Sequence, residues 1–196
     1  MTSQVDICNS ALNMIGASNI ISLTEDSKAG RVCNQRYEFV RDAVFRAHPW
    51  NPLVRRAEVA ADTDTPAFEF AYQHSLPADP YCLRVLRPQD PDTVFKVEGR
   101  KILSDLTPFK FLYIARVTDP NEYDLLMIET IAARLAADIA YALVNSASLA
   151  RDMQASYETK LSEARFVDAT EGTPDNVVNV DRASYSESNL LITSRL

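Results

Sequence analysis

Few side chains in this sequence could carry chemistry, and their types limit what that chemistry would be. Two histidines, His48 and His74, and three cysteines, Cys8, Cys33 and Cys82, are the possible nucleophiles, bases and soft metal ligands. A Cys33/His48 or Cys33/His74 pair would make an activated thiolate. Cys33, however, falls on the apolar stripe of a helical pattern, where a free cysteine usually acts as a small hydrophobe. The cysteines are odd in number, far apart and never in a C-x-x-C pair, which argues against a disulfide framework or a zinc site and for buried thiols in a reducing compartment. The histidines lack the H-x-x-x-H spacing of a metal site. Asp62/Asp64 and Asp90/Asp92 flank prolines, as solvated turn carboxylates do. The glycines, at positions 16, 30, 99 and 172, form neither a G-x-x-x-x-G-K phosphate loop nor a G-x-G-x-x-G turn. No catalytic residue, cofactor or metal is expected.

The arginines are the remaining polar resource. Arg31, Arg36, Arg41 and Arg46 recur along one helical pattern, and Arg55-Arg56, Arg84 and Arg87 lie on candidate strands. Formal net charge is −7, and the excess lies late in the chain, where residues 119–196 hold thirteen acidic against six basic groups. Without a basic stripe the chain is a poor candidate for holding nucleic acid through phosphates. The arginines are expected to meet acids of the later helices, within a subunit or across a boundary. A nucleic-acid-associated binding module and a small Cys/His-dependent enzyme are the alternative functions.

These residues need elements to hold them. Ser3-Gln4-Val5-Asp6 has the form of a capping box and Gly16 of a C′ residue, so a first helix is expected over about Gln4 to Ile15. Its stripe is Val5, Cys8, Ala11, Leu12 and Ile15. A second helix begins near Asp26 or Ser27 and stops before Pro49. There His48 could satisfy helix carbonyls and Trp50 anchor the core. Period-two runs follow at Leu53 to Val59, Phe68 to Gln73, Cys82 to Leu86, Val94 to Val97, Lys101 to Leu103 and Phe109 to Val117, punctuated by prolines. They predict one small antiparallel sheet with the last strand central and a hairpin turn at Glu98-Gly99-Arg100. Asp119-Pro120-Asn121-Glu122 reads as a helix start, N-cap first, for a third helix to about Asn145. A fourth follows Asn145-Ser146-Ala147-Ser148 and runs to about Val167, closing an αα-hairpin.

The expected fold is α+β, a predominantly helical bundle of about four helices with a small antiparallel sheet subdomain and an extended C-terminal arm. Its parts are residues 1–50 (helical pair), 51–118 (β-rich), 119–172 (αα-hairpin packing on the first helices) and 173–196 (arm). The apolar residues Val177, Val178, Val180, Tyr185, Leu190, Leu191, Ile192 and Leu196 make that arm a candidate for docking on a partner. No signal peptide and no membrane span are expected, since no run approaches the roughly 20 consecutive apolar residues a span needs.

Ile7-Cys8-Asn9-Ser10-Ala11-Leu12-Asn13-Met14-Ile15-Gly16-Ala17, Ile20-Ile21-Ser22-Leu23, Ala29 with Cys33 and Tyr37, and Val40-Arg41-Asp42-Ala43-Val44-Phe45-Arg46-Ala47-His48-Pro49-Trp50-Asn51 together resemble the head-to-tail adaptor, or tail tubular protein A, family of tailed bacteriophages, especially short-tailed ones. Tyr72, Leu76-Pro77-Ala78-Asp79 and Cys82-Leu83-Arg84-Val85 are similar to its next stretch. The resemblance covers most of the chain up to the fourth helix, and Arg-x-His-Pro-Trp-Asn is its most specific phrase. It implies a structural virion protein rather than an enzyme. Such a protein would form a ring, usually a dodecamer, between the portal protein and the tail nozzle or tail tube protein, assembled in the host cytoplasm. Double-stranded DNA would pass its channel without specific binding, and no membrane would be involved. The arm would dock on the portal or a neighbouring subunit.

Overall fold

The computed structural model describes residues 2–171. The arm residues Val177, Val178, Val180, Tyr185, Leu190, Leu191, Ile192 and Leu196 lie outside them. The fold is α+β, with four α-helices and two three-stranded antiparallel sheets among the described residues.

Helix α1 (Gln4–Met14) starts with the expected reciprocal box. Ser3 Oγ accepts from Asp6 N, and the Asp6 carboxylate accepts from Ser3 N at 2.9 Å. It ends in a Schellman motif: Ala17 N donates to Leu12 O, Gly16 N donates to Asn13 O, and Gly16 sits at φ +69, which glycine adopts without steric cost. Helix α2 (Lys28–Ala47) is capped by Ser27, whose hydroxyl accepts from Gly30 N.

The third helix starts later than the sequence suggests. Asp119 does cap, but it caps only a 3₁₀ turn over Pro120–Glu122. Tyr123 then turns extended, burying its ring edge-on against Phe45 at 5.3 Å and donating its hydroxyl to Val117 O at 2.7 Å. That anchor interrupts the helix, and α3 (Leu125–Val144) restarts on Asp124, which accepts from Leu126 N and Met127 N. Asn145, at φ 54, closes it, and Ser146 opens α4 (Ala147–Thr170) one residue later. The periodicity of the third helix puts Leu125 on its apolar face with Ile128, Ile131 and Leu135, but in the first turn of α3 it is 74% exposed.

The strands are β1 (Val54–Val59), β2 (Tyr72–Ser75), β3 (Cys82–Pro88), β4 (Phe95–Glu98), β5 (Lys101–Ser104) and β6 (Phe109–Ala115). They form two sheets, β1-β6-β3 and β2-β5-β4, where one was expected. The last strand is central to its sheet, as anticipated, and Gly99 turns the β4–β5 hairpin at φ +57. The run beginning at Phe68 becomes a strand only at Tyr72, because Glu69 lies at φ 76 and breaks the extended backbone.

Strand β6 explains why two sheets are needed. Its alternate residues Phe109, Phe111 and Tyr113 form an aromatic ladder with ring centroids 5.7 Å apart at each step, and with Ile102 and Cys82 they make a core between the sheets. Ile114, on the other face, joins the larger core of α1, α2, α3 and Leu83. Ala132, Ala136 and Ala140 are fully buried, so α3 packs closely against its neighbours. Arg36 of α2 grips Asp138 of α3 with two bonds, Nε to Oδ2 at 2.5 Å and Nη2 to Oδ1 at 3.1 Å, the one pairing of a second-helix arginine with a later-helix acid among the described residues. Arg41 is instead buried and paired with its neighbour Asp42.

Candidate functional site at the helix-to-sheet corner

The chain turns from α2 into β1 through His48-Pro49-Trp50-Asn51. A helix leaves its last carbonyls without partners. Here three side chains from different places take them. Trp50 Nε1 donates to Val44 O at 2.9 Å, Arg84 of β3 to Arg46 O at 3.2 Å, and Arg165 of α4 to Ala47 O at 2.7 Å. Trp50 is the buried anchor expected of it, at 1% exposure.

His48 does something other than cap the helix. Its Nε2 lies 2.9 Å from Asp168 Oδ2, and its ring packs edge-on against Trp50 at 4.9 Å. Asp168 Oδ1 accepts from Asn51 N at 2.9 Å, and Asp168 O accepts from Asn51 Nδ2 at 2.7 Å. One residue of α4 thus fastens both sides of the corner. Sequence reasoning missed Asp168, since it ended the helix at Val167. A carboxylate three residues after Arg165, on the same helical face, was the available signal.

The other candidates also resolve into packing. Cys33 is fully buried against Cys8; their shared hydrogen bond pushes the Cys8 thiol far up and draws the Cys33 thiol down against the opposing effect of burial, and at 0% exposure neither sulfur is open to a substrate. All three cysteines are free and buried. His74 is fully buried between the sheets, its Nε2 3.0 Å from Leu106 O, so that nitrogen carries the proton; Nδ1 has no partner among the described residues. Ser104 Oγ, 3.4 Å from His74 Nε2, donates to Leu106 O at 2.9 Å. The Asp62 carboxylate accepts from Lys101 and from Ser75 Oγ; the lysine bond foremost holds it below the usual carboxylate range. Asp90 accepts from Asp92 N in a turn. Among the described residues no group of three His, Cys, Asp or Glu side chains could hold a metal ion, and no helix is long and apolar enough to cross a membrane.

Corner and fold together define an α+β scaffold whose most distinctive residues join its elements. No family model matches the chain, and a search of curated proteins finds no match.

Proposed function

We propose that this chain is a structural head-to-tail adaptor of a tailed bacteriophage virion. In this reading it forms a ring, a dodecamer, between the portal protein and the tail nozzle or tail tube protein, and lines the channel through which DNA leaves. It works as a scaffold, without enzymatic activity.

One observation carries the reading. The phrase Arg46 to Asn51, the most specific part of the resemblance, is spent on joining α2, β1 and α4, with its polar groups bound internally through Asp168, Arg165 and Arg84. A motif used in this way serves a rigid subunit rather than a reaction. Large apolar side chains left outside on the helices, Phe39, Leu125, Tyr141 and Phe166, offer surface for lateral contact between copies. The acidic balance supports a channel that DNA slides past, because like charge disfavours sticking.

The test is the mass of the full-length chain in solution, alone and after adding the portal protein of the same phage. Formation of a portal-bound ring is the expected result; a monomer before portal is added is compatible with it. Failure to associate with portal, together with absence of the chain from purified virions, overturns the reading.

A further inference from the structure

Between the last turn of α2, strand β3 and the β4–β5 hairpin lies an open cleft of about 560 Å³. Four arginines line it: Arg46, Arg84, Arg100 and Arg116. Asp42 is the sole carboxylate among its lining residues. Arg46 donates to Leu83 O, Arg84 to Arg46 O, and Arg100 to Cys82 O and Pro77 O, both at 2.7 Å. Those carbonyls orient the guanidiniums without neutralising them. Arg116 reaches Asp42 at 2.6 Å, but the same carboxylate also holds buried Arg41 at 2.9 Å, and Arg116 Nε is buried with no partner among the described residues.

The cleft therefore carries uncompensated positive charge in a chain of net charge −7. Each guanidinium has five N–H donors in a fixed fork that fits a carboxylate; main-chain carbonyls already hold those of Arg46, Arg84 and Arg100 in place, and Asp42 holds that of Arg116. Leu76, Val85 and Val97 supply apolar wall beside them.

We propose that this cleft binds an acidic peptide segment of a partner protein, its carboxylates taken by Arg46, Arg84 and Arg116 and its aliphatic side chains by the apolar wall. Nucleic acid fits less well. The lining has one aromatic ring, Tyr81, and Arg100 and Arg116 already lie over it, 4.0 and 4.4 Å from its centroid, where a base would have to stack. The proposal does not depend on the virion reading, since it concerns the charge and shape of one cleft.

Fluorescence anisotropy on the full-length chain tests it. The probes are a labelled hexapeptide alternating Glu and Leu, its Gln-for-Glu counterpart, a labelled oligothymidylate, and inorganic phosphate as competitor. The Glu peptide should bind at least about tenfold more tightly than the Gln peptide, weaken with salt, and lose about tenfold or more in Arg84→Gln. Arg84→Lys, which keeps the charge without the fork, should fall between, and Arg31→Gln, at the other end of α2 and paired with Asp26, should change nothing. Circular dichroism melts of each variant separate lost binding from lost folding. Equal binding of the two peptides, or an unchanged affinity in a folded Arg84→Gln protein, overturns the proposal. Tighter binding of oligothymidylate overturns it in favour of a nucleic-acid groove, and phosphate binding without peptide binding reduces the cleft to a small-anion site.

Discussion

Tyr37 and Tyr123 sit in the same core and differ in one atom's surroundings. The Tyr37 hydroxyl is buried with no hydrogen-bond partner among the described residues, whereas that of Tyr123 donates to Val117 O at 2.7 Å. Leaving a buried polar group unpaired costs about 1–3 kcal/mol, and a satisfied bond contributes about 1 kcal/mol. Tyr37→Phe should therefore be neutral or stabilising, and Tyr123→Phe should cost about 1 kcal/mol in urea denaturation at neutral pH. Burial, against the pull of Arg41, pushes Tyr123 up to about 12. A raised value favours the protonated form in the folded state. That stability is fully present below about pH 10, the ordinary tyrosine value, and is lost as pH rises from there to about 12. Melting midpoints of the parent and Tyr123→Phe proteins should draw together over that window; a constant gap would refute the assignment. At this scale the sequence was legible where a residue's role followed from its own position, on an apolar stripe for Cys33 and just after a helix stop for Trp50. It was not legible for His48, whose partner Asp168 is 120 positions away.

Elements were legible by period and blurred at their ends. The rule that places Asp before Pro at a helix start held locally at Asp119, but the side chain of Tyr123, two residues beyond that first turn's Asn121, decided where the long helix could begin. Local capping chemistry proposes a start, and a tertiary anchor moves it. The two candidate caps can be told apart by substitution. Asp124→Ala removes the acceptor for Leu126 N and Met127 N and should cost about 1 kcal/mol, the usual value for losing an N-cap. Asp119→Ala, at an exposed 3₁₀ turn, should cost less. Chemical denaturation of both variants checks the order, and a larger loss for Asp119→Ala would mean that the helix is nucleated from the earlier turn. The division of the strands into two sheets was hidden for a related reason. Alternation reveals which side chains share a face, but only packing shows that Phe109, Phe111 and Tyr113 face a second sheet while Ile114 faces the helices.

At the scale of the molecule, the buried residues of both cores fall between Ile7 and Ala164 among the described residues. The apolar residues Val177, Val178, Val180, Tyr185, Leu190, Leu191, Ile192 and Leu196 come later in the sequence than any of them. A segment carrying that many apolar side chains suits contact with another chain, which is the role the adaptor reading gives it. Stability and assembly should then separate on deletion. A chain lacking residues 173–196 should keep its melting midpoint and its circular dichroism, because α4 and its fastening of the corner through Asp168 and Arg165 are untouched. The same protein should fail to join portal-bearing capsids in a complementation assay, leaving heads that lose their DNA. Normal attachment by the truncated chain would refute the docking role of the arm while leaving the ring reading to be judged by the portal mass experiment. Loss of folding instead would mean that the arm belongs to the core of its own subunit, and its apolar residues would then need to be placed against this fold rather than against a partner.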